Sequence, residues 1–484
     1  MDDVLGKFFT DFNEVADLAR QASTAVPDGT RLLRDLERHL GTPAAGLSVV
    51  VEDFPAHRLV DLDILLAEMA AEDPGSRLVG IGGGDQRNHM SLSDMIQQSL
   101  IWAQFPLSQP DYSNVAVGPD EQRQVVSLGL RLFSRAGSPA AVMQRAANPQ
   151  FGRQQATLEV LTAEPETAAA LLTELREGME TRSVFKGQVI SLAVSDYGPS
   201  VGGVAFHARP DLGSGDVILP DGVLARVEAH TLGIGRNAAA LMAHGQHLKR
   251  GLLLYGPPGT GKTHTVRYLL SRSEGTTAVL LSGASLARIS EAAKLARALA
   301  PSMIVLEDCD LIAEDRSFSY GPQPLLFEVL DAMDGLANDA DVAFVLTTNR
   351  VDMLERALAQ RPGRVDLAVE IPLPSLHERE GLLRLYSQGI GFSPDALAAA
   401  AAQTAGTTAS FTKELVRRAV LAASLTGQSP GDGHLSRAAS ELMADGAALT
   451  RSLLGSGPAG RGSAGSNSEF GNHPGNDFGE EVPS

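Results

Sequence analysis

Residues 256–263 read GPPGTGKT, with the apolar run Leu252-Leu253-Leu254-Tyr255 before them and a stretch of helical character at 265–270 after them. Strand, glycine loop and helix in that order form a cradle for phosphate. Gly256, Gly259 and Gly261 let the backbone fold round an anion with its N–H groups pointing inward, and the following helix adds its positive end. Pro257 and Pro258 stiffen the turn where no helical N–H is needed, and Thr260 completes the loop. Lys262 is placed to reach the β- and γ-phosphates and Thr263 to ligate Mg²⁺, while His264 adjoins the loop as a neighbour of the chemistry. The chain is expected to bind a nucleoside triphosphate.

A second constellation follows. Met303-Ile304-Val305-Leu306 is an apolar strand that ends in Glu307-Asp308. Two acids at a strand end beside a phosphate site divide two tasks: one holds the Mg²⁺ shell, and the other orients and deprotonates the attacking water. Taken alone the pair also fits a solvated acidic turn, and its position after the glycine loop favours the catalytic reading.

These residues need elements to hold them. Between about 217 and 371, helical stretches alternate with β-rich runs at 251–255, 278–282, 303–306, 342–347 and 365–371, the pattern of a parallel α/β sheet. The nucleotide-binding core is therefore placed at 216–374. Residues 375–454 show helical periodicity broken near Gly389, Gly406 and Gly427, which predicts a bundle of about four helices. The stretch 455–484, rich in Gly, Ser, Asn and Pro, lacks the apolar surface to offset ordering entropy and is expected to be disordered. The N-terminal region is divided into an α/β part, 1–120, and a β-rich α+β part, 121–215. The first opens with an amphipathic segment (Leu5, Phe8, Phe9, Phe12, Val15, Ala16), followed by a helix at 30–40, a strand at 47–51 and a helix at 57–71. The second predicts strands at 124–133 and 140–144 around a Gly137-Ser138-Pro139 turn, a strand at 157–162, a helix at 166–181 and a strand at 184–194. Its scattered histidines, His39, His57, His89 and His207, show no metal-ligand spacing.

Composition bounds the partners. A net charge of −18 over 484 residues opposes a protein whose main task is to neutralise phosphate backbones, so nucleic acid is not the expected partner. One cysteine, Cys309, excludes an internal disulfide framework and fits a reducing compartment. An acidic start and no apolar run of about 18 residues predict a cytoplasmic protein with no membrane span.

Residues 217–454 resemble an AAA-type ATPase module of the AAA+ superfamily. The resemblance rests on GPPGTGKT, MIVLEDCDLI (303–312), LTTNR (346–350) and ALAQRPGRVDLAVEIPLP (357–374). It implies an AAA+ P-loop parallel sheet with a C-terminal helical lid, ATP as the nucleotide, Mg²⁺-dependent hydrolysis and a homohexameric ring. Asn349 then corresponds to the polar sensor that holds the hydrolytic water or γ-phosphate, and Arg361 and Arg364 to fingers acting on the neighbouring subunit's site. Glu307 is assigned to the Mg²⁺ shell and Asp308 to the water, although the family usually has the reverse order and the two roles stay interchangeable. Two further departures matter. Threading relatives carry an aromatic-hydrophobic-glycine loop where this chain reads Ser282-Gly283-Ala284-Ser285-Leu286-Ala287-Arg288-Ile289-Ser290. The lid entry, Gly406-Thr407-Thr408-Ala409-Ser410-Phe411, lacks the family's usual acidic residue and shows no sensor arginine. The function implied is remodelling or disassembly of a protein client or adaptor recognised by the N-terminal region. Open alternatives are a nucleotide-gated assembly scaffold with slow hydrolysis and, less in keeping with the charge, a nucleic-acid loader.

Overall fold

The computed structural model describes residues 30–102, 105–192, 203–309, 331–333, 340–350, 365–444 and 448–454. The amphipathic N-terminal segment, the 455–484 stretch, Arg361 and Arg364 lie outside the described residues. The chain separates into two compact units, 1–257 with 261–372, and 258–260 with 373–484.

The first unit holds two sheets. Helix α1 (Thr30–Leu40) leads to β1 (Val49–Phe54), α2 (Leu59–Ala71), β2 (Arg77–Ile81), α3 (Leu92–Trp102), β3 (Leu107–Ser108), β4 (Asp111–Ala116), β5 (Gln122–Arg135), β6 (Ser138–Arg145), β7 (Ala156–Thr162) and α4 (Pro165–Thr181). The strands pair antiparallel in the order β1-β7-β6-β5-β2-β3, with β4 also on β5. Alternation drives the layering: in β6, Ala140 and Val142 join a cluster with α2 and α4, whereas Ala141 and Met143 join one with α1 and α3. The β5–β6 hairpin turns at Ala136-Gly137, one position before the predicted turn, with φ of 51° and 87°. Two consecutive left-handed residues match the strand twist, which explains the glycine and leaves Ser138 and Pro139 to start β6.

Strands β8 (Val189–Leu192), β9 (Val204–His207), β10 (Arg250–Tyr255), β11 (Thr277–Ser282), β12 (Ser302–Glu307), β13 (Val342–Thr348) and β14 (Leu367–Glu370) form the second sheet, ordered β14-β10-β13-β12-β11-β8-β9. All neighbours are parallel except β8 and β9. Helix α5 (Lys262–Ser271) packs Val266 and Leu269 on one face, against Leu252, Leu254, Met303 and Val345. Helix α6 (Ile289–Ala298) packs on the other, in the same cluster as α2 and α4 of the first sheet. The sheets thus partition the chain differently from the division expected at 120 and 215. Strands from both sides of 120 share one sheet, and β8 and β9, expected with the N-terminal region, extend the nucleotide sheet.

The second unit is helical: α7 (Leu376–Tyr386), α8 (Pro394–Gln403), α9 (Ala409–Leu425), α10 (Asp432–Met443) and α11 (Ala448–Leu453). Leu383, Phe411, Leu415, Leu435 and Leu442 form its core. Ser375, Ser393 and Thr408 cap α7, α8 and α9, each accepting a backbone N–H. No helix among the described residues is long and apolar enough to cross a membrane.

Candidate functional site

Three adjacent strand ends supply the site. Strand β13 lies between β10 and β12 in parallel register, with Tyr255 opposite Thr348 and Leu306 opposite Leu346. The glycine loop leaving β10, the acids ending β12 and Asn349 just past β13 therefore meet at the carboxyl edge, where open α/β sheets place ligands. Apolar runs buried on both faces fix this register, since a slip of one residue would exchange the two packed faces.

Gly256 follows β10 with φ 141°, and a Cβ there would lie 2.3 Å from the carbonyl oxygen of Ile371. Ile371 in turn donates its N–H to the Tyr255 carbonyl at 2.7 Å, so only glycine lets the chain turn this close to the end of β14. Gly259 and Gly261 have φ of 76° and 115°, and a Cβ on Gly261 would meet nothing within 4 Å, leaving open space above the loop. Gly261 is the N-cap of helix α5, which has no side-chain cap. Lys262 is buried and its Nζ donates to the carbonyls of Gly256 and Pro257, at 2.8 and 2.9 Å, which holds the ammonium against the loop. Pro258 and Thr260 lie on the same turn, Thr260 buried.

Thr263 is exposed on the first turn of α5, close enough to the Glu307 carboxylate to favour its charged form. Burial pushes the Glu307 carboxyl above the usual range, the Asp308 charge adds to this, and Thr263 and Arg267 oppose it. A hydroxyl and a carboxylate meeting beside the loop are hard oxygen donors of the kind Mg²⁺ takes, so these residues fit that ion. Among the described residues no group of three or more His, Cys, Asp or Glu side chains is placed to hold a metal ion.

Asp308 adopts φ 51°, a left-handed conformation unusual for a residue with a side chain. Its N–H donates to Thr347 Oγ1 at 3.0 Å, and Cys309 N–H donates to the Thr347 carbonyl at 2.9 Å. Thr347 thus clasps the turn and holds the second acid beside the end of β13. Sequence reasoning passed over this threonine, whose only signal was its position two residues before Asn349. Cys309 is buried in the apolar cluster. The His264 ring bonds the Asp216 carbonyl at 2.8 Å, tying α5 to the segment before it.

The 282–290 stretch also differs from an open loop. Residues 283–288 form a 3-10 turn, and Leu286 and Ile289 are fully buried in the cluster shared by α2, α4 and α6. Arg288 pairs with Glu291 at 2.8 Å, and Glu291 meets His57 Nδ1 at 3.2 Å. The aliphatic residues at this position support the core.

Residues 252–373 match the family described as ATPase family associated with various cellular activities (AAA). The chain is 33% identical over 258 residues to the ATP-dependent zinc metalloprotease FtsH 4 of Sphaerobacter thermophilus, covering 50% of this chain and 38% of that protein. It is 38% identical over 160 residues to the proteasome-activating nucleotidase of Methanoculleus marisnigri, covering 30% and 38%. It is 35% identical over 159 residues to the 26S proteasome regulatory subunit 8 homolog of Schizosaccharomyces pombe, covering 30% and 39%. The matched stretches therefore span well under two thirds of these relatives.

Proposed function

We propose that this chain, whose residues 252–373 match the AAA family, hydrolyses ATP in a ring, a homohexamer, to remodel or disassemble a protein partner taken by its N-terminal region. The observation that carries the chemistry is the convergence of three strand ends. Residues 256–263 would hold the phosphates, with Lys262 on the β- and γ-oxygens. Thr263 and Glu307 would hold Mg²⁺, which neutralises developing phosphoryl charge when bound. Asp308, set by Thr347, would orient and deprotonate the water, and Asn349 would position it beside the γ-phosphate. The relatives' names, ATP-dependent and proteasome-activating, support work on proteins. The protease part of the first name is not carried over, since the sequence contains no His-Glu-x-x-His.

The buried Leu286 and Ile289 favour a second reading, a nucleotide-gated scaffold that changes assembly state without pulling a chain through a pore. Two variants test the first reading. Lys262→Ala should weaken ATP binding by about a hundredfold or more, through loss of a cation among phosphate charges. Asp308→Asn should bind ATP normally, turn over at least about a hundredfold more slowly and retain its partner on affinity capture. Full hydrolysis by Asp308→Asn would remove it from the water's side of the site. Partner-insensitive slow turnover by the unmodified protein would favour the scaffold.

A further inference from the structure

Residues 258–260 of the glycine loop fall in the same compact unit as the helices of 373–484. Helix α9 opens against them. A helix leaves its first N–H groups without intrahelical partners, so each needs an acceptor from elsewhere. Phe411 N–H donates to Thr408 Oγ1 at 3.1 Å, and Ser410 N–H donates to the Gly259 carbonyl at 3.1 Å. The glycine loop is thus part of the cap of α9. The same bond orients the loop, because C=O and N–H point opposite ways in a trans peptide. Holding the Gly259 carbonyl toward α9 turns the Thr260 N–H away from it.

The turn that follows α11 reaches the same glycine. The Leu454 carbonyl accepts the Thr408 hydroxyl at 2.7 Å, and Thr408 is fully buried. Arg451 Nη1 donates to the carbonyls of Leu442 and Ala444, at 2.9 and 2.6 Å, which ties the turn to the end of α10. The Leu454 side chain packs against the helical core. A Cβ on Gly259 would lie 3.0 Å from Ser410 Oγ and 3.1 Å from the Leu454 carbonyl oxygen. Glycine therefore does two things here: it takes the left-handed φ of 76°, and it admits Ser410 and Leu454 directly behind the loop.

We propose that residues 451–454 form a latch which, through Thr408 and Ser410, holds the Gly259–Thr260 peptide in the orientation that receives phosphate, so that seating or releasing this turn sets nucleotide affinity. A glycine-rich loop left unsupported samples many conformations, and a ligand must then offset the cost of ordering it. With the latch seated, that ordering precedes binding. Thr408 and Arg451 act as positioning residues, through the loop's backbone. The proposal rests on the reading of 256–263 as the phosphate-binding loop.

The test measures the Kd of mant-ADP by fluorescence titration and the steady-state kinetics of ATP hydrolysis. Arg451→Ala, which frees the turn, and Thr408→Val, which removes the hydroxyl, should each raise the Kd and the KM at least about fivefold and leave kcat within about twofold. Thr408→Ser, which keeps the hydroxyl, should restore both. Simple loss of folded protein would instead lower apparent kcat and leave KM alone, so a merely structural role gives a different pattern. Arg451→Ala spares the cap of α9 and decides the matter if Thr408→Val unfolds. A chain ending at Ala444 should behave like Arg451→Ala, and one ending at Gly460 like the full chain. Unchanged Kd and KM in folded Arg451→Ala, or equal loss of affinity in the two shortened chains, overturns the latch. If Lys262→Ala leaves mant-ADP binding intact, the phosphate-loop reading itself fails, whereas a strong Lys262→Ala effect beside an inert Arg451→Ala sinks the latch alone.

Discussion

Leu286 and Ile289 occupy the sequence position where threading relatives present a gripping loop, yet both side chains are fully buried. Burial changes what a substitution there can report. Leu286→Ser would empty space in the cluster that includes Val279, Leu281 and Ile304, and would leave a hydroxyl with no arranged partner. We expect a loss of about 3 kcal/mol in urea unfolding, with nucleotide affinity intact in the folded fraction. Unchanged unfolding together with lost partner stimulation would return the residue to a gripping role. Asp308 shows the opposite relation between residue and surroundings. Its left-handed backbone is held by the Thr347 hydroxyl, so local strain is offset by a part-buried hydrogen bond at the place where the proposed chemistry needs a fixed carboxylate.

At the scale of elements, the nucleotide sheet was readable because its strands are short apolar runs bounded by glycine or charge, and because the glycine loop fixes which run comes first. Strand β2 and the placement of β8 and β9 were not readable. Their residues fit any pleated surface, and the choice of partner strand is made by tertiary packing. The periodicity of 283–290 was likewise ambiguous, since Leu286 and Ile289 fit both an exposed aliphatic loop and a buried turn. The position of β8 carries a prediction. The Ala278 N–H donates to the Gln188 carbonyl at 2.8 Å, β8 pairs with β11 from Val189 to Ser191, and Arg209 donates to the carbonyls of Leu270, Gly187 and Thr276. A deletion of 1–215, placed where composition marks a boundary, would strip β8 and β9 and expose the edge of β11. We expect that fragment to be insoluble or unable to bind nucleotide, as read by soluble yield and fluorescent-nucleotide titration, while a fragment starting at 183 retains more of both. Full nucleotide binding by the shorter fragment would show that β8 is dispensable.

For the whole molecule, the described side chains place one loop cation, Lys262, on the phosphate-facing turn, and the acids opposite it add negative charge. Phosphoryl transfer needs more positive charge than one lysine and Mg²⁺ in most such sites, and an arginine from another subunit is a recurring source. Arg361 and Arg364, outside the described residues, stand proposed in that role. A trans-acting guanidinium separates binding from turnover. The variants Arg361→Ala and Arg364→Ala should bind ATP within about twofold of the unmodified chain and hydrolyse it at least about a hundredfold more slowly. The Lys262→Ala subunit supplies intact arginines and a dead site, while the arginine variants supply an intact site and no finger. Mixed rings therefore contain some interfaces that pair an intact site with an intact finger, which neither parent ring contains. Hydrolysis should reappear on mixing, peak at an intermediate ratio and fall on dilution below the assembly concentration. If native mass measurement shows mixed rings and no ratio restores turnover, the arginines act within their own subunit and the need for a ring loses its chemical basis.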